Sequence, residues 1–222
     1  MPHRATHVLA IRHGQTAWNA IGRIQGQLDV PLDATGLMQA RRLAEALADA
    51  GIDALYASDL SRAAQTAAAV AERTGLAIRT DVGLRERGFG EFEGQTHADI
   101  ERLWPDHALR WRQRDPAYGP AGGETLAAFD ARSVACAARI VARHPGQTIA
   151  LVAHGGVLDC LYRAATRIDL RAPRTWQLAN ASINRLLYSD EGFVLVGWSD
   201  TRHLESAAAD GAADAEPAVP AR

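Results

Sequence analysis

The sequence predicts an α/β protein with three layers: an open, mostly parallel sheet between two layers of helices, ending in an antiparallel edge. Three observations predict it. Short apolar runs alternate with stretches of helical periodicity along most of the chain. Two of those runs stop at a histidine, His13 and His154, as strands do when their C-terminal ends open on a crevice. Near the C-terminus, two β-rich runs flank Asp190-Glu191-Gly192, the spacing of a hairpin.

Residues 7–11 have the length and β-branched content of a buried strand. Leu37, Ala40, Leu43, Ala44 and Leu47 then recur at helical spacing, with Gly51 as the stop, and residues 53–57 give a second strand. Ala63, Thr66, Ala67, Val70 and Ala71 mark a helix over 60–74, which Ser58 or Asp59 would cap and Gly75 would close. Residues 76–80 return as a strand. Periodicity weakens over 81–123, where a short helical piece at 96–104 and a loop rich in Arg, Pro and Gly suggest a lid. Residues 126–142 are helical, 148–153 a strongly apolar strand and 156–166 a helix. Residues 182–188 and 193–198 form the hairpin.

The chain is 222 residues long and 47% hydrophobic, enough for one core, so a single domain over residues 1–205 is expected. The Ala, Asp, Glu and Pro of 206–222 offer little to bury, and disorder is expected there. The start lacks a signal-peptide pattern and no apolar run is long enough to span a bilayer, so the expected location is the cytoplasm, without membrane association. Cys136 and Cys160 lie in apolar helical stretches without ligand spacing and read as reduced core thiols.

All 24 basic residues are arginine. Lysine-dependent phosphate loops and Schiff-base chemistry are thereby excluded, and any phosphate site must use arginine, histidine and backbone amides. With alanine so abundant, this composition also resembles GC-rich bacterial coding. A net charge of −2 gives no reason to expect nucleic-acid binding.

Six ordered blocks carry a family likeness. They are Arg12-His13-Gly14-Gln15-Thr16 with Asn19; Arg23-Ile24-Gln25-Gly26; the run from Ser58 through Arg62 to Thr66; Leu84-Arg85-Glu86 with Gly90 to Gly94; Gly123-Glu124-Thr125; and Val152-Ala153-His154-Gly155-Gly156. Over about residues 6–200 the chain resembles the histidine phosphatase superfamily, the group of the cofactor-dependent phosphoglycerate mutases and many small-molecule phosphatases. The resemblance implies a phosphoglycerate mutase-like fold. It also implies that His13 is the nucleophile, that Arg12, Arg62 and His154 bind the phosphoryl group, and that Glu86 is the general acid and base. Asn19 and Gln25, with backbone near Gly14 or Gly155, would add contacts to phosphate or substrate. No metal or cofactor is implied.

Elementary chemistry agrees. Phosphoryl transfer is catalysed by positioning and electrostatic stabilisation, so cationic donors must converge, and arginine presents a planar fork of them. A neutral imidazole can attack phosphorus, and an alkoxide leaving group needs a proton donor. Glu91 and Glu93 are rivals for that role, and a plain ion pair with Arg85 or Arg87 is the competing account of Glu86. Trp104, Trp111, Arg110, Arg112 and Arg114 lie where a lid would meet the organic part of a substrate, with lid packing and surface charge as the competing account. The remaining histidines, His3, His7, His97, His107, His144 and His203, lack metal-ligand spacing and take no site role.

The short span between Glu86 and Glu124 favours a metal-independent phosphomonoesterase acting on a small phosphorylated metabolite, because the family's glycolytic mutases carry a longer insertion there. The alternative is a phosphoglycerate mutase primed by 2,3-bisphosphoglycerate. An alpha-ribazole phosphatase and a non-catalytic phosphate-binding module rank below, the latter because His13, Arg12, Arg62, Glu86 and His154 are all present. Apolar residues of the hairpin fit either core or the surface of a homodimer.

Overall fold

The computed structural model of the chain describes residues 5–205; His3 and the tail expected to be disordered, 206–222, lie outside the described residues. Strands β1 (Thr6–Arg12), β2 (Ala54–Ala57), β3 (Ile78–Thr80), β4 (Thr148–Ala153), β5 (Ile183–Ser189) and β6 (Gly192–Asp200) form one sheet in the order β3-β2-β4-β1-β5-β6. The first four strands of that order run parallel, and the β5–β6 hairpin adds the antiparallel edge. Among the described residues the helices are α1 (Ala17–Ala20), α2 (Ala34–Leu47), α3 (Ser61–Thr74), α4 (His97–Leu103), α5 (Pro105–Arg112), α6 (Leu126–Val141) and α7 (Gly155–Thr166).

Alternation along the strands divides the core in two. Leu9, Ile11, Leu55, Ala57, Ala150 and Val152 face Leu43, Ala44 and Leu47 of α2 and Ala63, Ala67 and Val70 of α3. Val8, Ala10, Tyr56, Ile149, Leu151 and Ala153 face Phe129, Ala137 and Ile140 of α6 and Val157, Leu158 and Leu161 of α7. A sheet covered on both faces needs near-continuous apolar strands, which explains why residues 7–11 and 148–153 read so clearly. The helix following β1 packs on one face and the helix following β4 on the other. These neighbouring strands therefore define a switch point, with a crevice beyond their C-terminal ends.

Two expectations are corrected. The start of α3 is not capped from within: Leu60 is its N-cap and makes no side-chain cap bond. Asp29, 32 residues earlier in the chain, accepts from Ser61 N (2.7 Å) and Ser61 Oγ (2.6 Å), while Asp59 turns away to Arg85 (2.8 and 2.5 Å). A tertiary carboxylate thus supplies the cap that local sequence would normally provide. The segment 81–123 also holds more helix than its periodicity predicts. Pro105 starts α5 at a position where a missing N–H costs nothing, yet that helix buries only Ala108, too little to leave an amphipathic stripe. This segment has its own small core of Ile24, Phe92, Ile100, Ala108 and Tyr118, with Phe89, Trp104 and Trp111 packed against it.

Candidate active site

Register brings the two histidines together. Arg12 pairs with Ala153 across β1 and β4, so His13 and His154 leave the sheet side by side. His13 N–H donates to Ala153 O at 3.0 Å, and the imidazole centroids lie 5.2 Å apart. Gly14 then takes the chain close to α2, where an added Cβ would lie 2.6 Å from Gly36 O, so no larger residue fits this turn.

The two rings have opposite tautomers. His13 Nδ1 lies 2.7 Å from Gly14 O, which can only accept, so the neutral ring carries its proton on Nδ1 and keeps a lone pair on Nε2. His154 Nδ1 accepts from Arg62 Nε at 3.2 Å, so its proton sits on Nε2, which is buried without a partner among the described residues. Burial, with Arg12 and Arg62 nearby, pushes His13 well below the ordinary histidine range. Burial, Arg62, His13 and Arg12 do the same to His154.

Both arginines are fixed by main-chain carbonyls. Arg62, in the first turn of α3 and 1% exposed, donates through Nη1 to Leu28 O (2.9 Å) and through Nη2 to Gly26 O (2.7 Å). With Nε on His154, three of its five N–H groups are used and two remain. Arg12 donates through Nη1 to Leu178 O, and its buried Nε has no partner among the described residues. Burial lowers Arg12 to about 10, against the opposing charge of Glu86 and with Arg174 and Arg62 adding to the lowering, so it stays cationic at neutral pH.

Glu86 faces the same space, held by two backbone amides: Oε2 accepts from Gly156 N (3.0 Å) and Oε1 from Arg87 N (2.9 Å). A Cβ on Gly156 would overlap Glu86 Oε1, so the glycine is what lets the carboxylate approach α7. The competing ion pair does not form. Arg85 is on Asp59, and Arg87 donates to Glu124 O and Tyr118 O. The rivals are occupied elsewhere, Glu91 with Ala121 N (3.2 Å) and Glu93 with Gln27 N and Phe89 N (both 2.9 Å).

Asn19 Oδ1 accepts from Thr16 N (3.1 Å) and Asn180 Nδ2 (3.2 Å), which leaves its own Nδ2 free to donate. Gln25 lines the cleft with a buried, unpartnered Oε1. Gly155 begins α7 and presents a free N-terminal amide and the positive end of the helix. A Cβ there would sit 3.5 Å from Arg12 Nε, an ordinary contact, so this glycine is not sterically required.

The predicted residues Arg12, His13, Asn19, Gln25, Arg62, Glu86 and Gly155 all line one cleft of about 830 Å³; His154 is fully buried beside His13 and does not itself line it. Trp111, Arg112 and Arg114 line its outer part, as the lid expectation has it. Trp104 and Arg110 do not: the first packs on Phe92, the second bridges to Asp115 at 2.6 Å. Sequence reasoning passed over His97, Asp159, Arg174 and Trp176, which also line the cleft, and Asn180, which donates to His13 O at 3.0 Å. Residues 173–180 carry no periodicity that could have flagged them. Asp159 could have been found, because it lies one helical turn beyond Gly155 on the same face.

Among the described residues no group of three or more His, Cys, Asp or Glu is placed to hold a metal ion, and no helix is long and apolar enough to cross a membrane. The sequence model of the histidine phosphatase superfamily (branch 1) matches residues 8–201. Phosphoglycerate mutase-like protein 4 of Arabidopsis thaliana is 37% identical over 203 residues, 89% of this chain and 86% of that protein. Glucosyl-3-phosphoglycerate phosphatase of Mycobacterium tuberculosis is 38% identical over 192 residues, 82% of this chain and 86% of the relative. A solved structure of a mycobacterial glucosyl-3-phosphoglycerate phosphatase in complex with VO3 superposes with a TM-score of 0.79 at 36% identity, over 88% of this chain and 99% of that one.

Proposed function

The chain belongs to branch 1 of the histidine phosphatase superfamily, and we propose that it hydrolyses small phosphomonoesters without a metal through a phosphohistidine on His13. The observation that carries this is the pair of ring contacts, His13 Nδ1 on Gly14 O and His154 Nδ1 on Arg62 Nε, which leave a lone pair on one ring and an unpartnered N–H on the other, with ring centroids 5.2 Å apart. A nucleophile and a donor to the phosphoryl oxygens are thereby set side by side before any substrate binds.

In the first step His13 Nε2 forms a bond to phosphorus as the ester P–O bond breaks. The departing oxygen takes its proton from the Glu86 carboxyl. Arg12, the two free donors of Arg62, His154 Nε2, Asn19 Nδ2 and the Gly155 amide neutralise charge on the non-bridging oxygens. In the second step the Glu86 carboxylate takes a proton from water, whose oxygen bonds to phosphorus as the N–P bond breaks. Inorganic phosphate leaves and His13 is neutral again.

Hydrolysis is favoured over transfer to a second hydroxyl because the lid between Glu86 and Glu124 is short, whereas a mutase must shield the phosphoenzyme from water while its intermediate turns over. Phosphorus NMR with 3-phosphoglycerate and trace 2,3-bisphosphoglycerate separates the two. Inorganic phosphate alone is the expected product. A growing 2-phosphoglycerate signal would make the protein a mutase.

A further inference from the structure

The cleft is far larger than a phosphoryl group, and its lining includes two residues with buried polar atoms that are unsatisfied among the described residues. Asp159, on α7, is 5% exposed. Its Oδ2 accepts from Arg114 Nη2 (2.7 Å) and Arg163 Nε (3.0 Å), while Oδ1 has no partner among the described residues. Trp176 Nε1 is likewise buried without a partner. Its ring is anchored, stacked on Tyr162 at 4.0 Å with the Arg163 guanidinium 4.8 Å from its centroid. Both residues line the cleft that also contains His13. Leaving such groups unpaired is costly, and an unpaired acceptor and an unpaired donor lining one cleft call for a ligand that offers both functions.

Hydroxyls suit both, because a hydroxyl can give its proton to Asp159 Oδ1 and a hydroxyl oxygen can accept from Trp176 Nε1. An ammonium fits worse. It would add a cation where Arg114 and Arg163 already face Asp159 and its neighbour Asp130, in a cleft also lined by Arg112 and Arg174, and it offers Trp176 no lone pair. Distance along the helix is also suitable. Asp159 lies four residues from Gly155, about 6 Å along α7, so a leaving group extending from a phosphoryl at the helix N-terminus reaches it within a few bonds.

We propose that Asp159 and Trp176 form a hydroxyl-recognition subsite, so that the leaving group is a polyol or sugar rather than an amino acid or a plain alkyl or aryl group. This rests on the phosphatase reading of the same cleft.

The test compares kcat/KM of the full chain for erythritol 4-phosphate and n-butyl phosphate, which share a carbon chain and differ in hydroxyls. Phenyl phosphate reports on the phosphoryl site alone. The polyol ester should be preferred about ten- to a hundred-fold, the value of one charge-assisted hydrogen bond. Trp176→Phe, which keeps the stacked ring, and Asp159→Asn, which keeps the shape, should each narrow that preference, mainly through KM for the polyol ester. Equal kcat/KM for the two esters, or a preference that survives both substitutions, overturns the subsite while leaving the phosphatase standing. Failure of the wild-type protein to turn over phenyl phosphate overturns both.

Discussion

The two ends of the cleft are built on opposite plans. At the inner end, His13, His154 and Arg62 are at most 3% exposed and are tied to main-chain groups of β4, α7 and the loop after Ile24. At the outer end, Arg112 leans on Glu101 at 2.6 Å with both side chains more than half exposed, and Arg174 is exposed. The inner end is rigid, dry and strongly charged, the condition under which fixed donors stabilise a transition state best. The rim at Arg112 and Arg174 sits on a short helix and an irregular loop and can vary without disturbing the sheet.

The largest test of that division is His13→Ala. Turnover should fall about 10⁴-fold or more, and acid-labile phosphate on the protein should vanish in a rapid-quench experiment. Residual phosphoprotein would move the nucleophile elsewhere. Glu86→Gln comes next. Alkyl phosphates should lose about 10²- to 10⁴-fold in kcat and activated aryl phosphates much less, since only the former need a proton on the leaving oxygen. Equal losses would remove Glu86 from that role. Gly156→Ala should reproduce a milder form of this pattern, about ten-fold or more on alkyl esters, because the new methyl displaces the carboxylate. A variant with wild-type leaving-group dependence would detach Glu86 from α7.

Acid should reveal the inner end in a different way. Burial and two arginines hold His13 well below 6.5, so kcat/KM for an aryl phosphate should show no histidine step as pH falls through 6.5. A midpoint there in addition to the substrate's own phosphate ionisation, at about 6, would mean a solvated ring. Stability follows with a definite sign. Below 6.5 the unfolded chain binds protons that folded His13 and His154 refuse, so unfolding becomes easier as pH falls. Each histidine contributes a slope that steepens below 6.5 toward a limit of about 1.4 kcal/mol per pH unit. His13→Ala should flatten that slope in urea titrations between pH 6.5 and 5. The smallest effect belongs to the outer end. Trp111→Ala removes packing on Phe89, Phe92 and His97 and should raise KM several-fold while kcat for phenyl phosphate changes less than about threefold.

The same division explains what could be read from sequence. Residues 7–11 and 148–153 are apolar because both sheet faces are covered, and the histidines that end them are local to those runs. The inner end was therefore legible from motif and periodicity together. The tautomers were not, because they depend on Gly14 O and Arg62 Nε, set by tertiary packing. Nor was the cap of α3, which comes from Asp29. The outer wall escaped because 173–180 is irregular and α5 buries a single alanine. Asp159 was passed over because a charged residue inside a helix usually faces solvent, although its place one turn beyond Gly155 was a signal for it.

The small core of Ile24, Phe92, Ile100, Ala108 and Tyr118 is separate from the two cores that flank the sheet. The segment that covers the cleft therefore brings much of its own cohesion and can be exchanged, lengthened or rebuilt while the catalytic floor stays as it is. Evolution and the protein engineer have the same modular handle here: one phosphoryl-transfer centre, and a cover that can be retailored for each new metabolite.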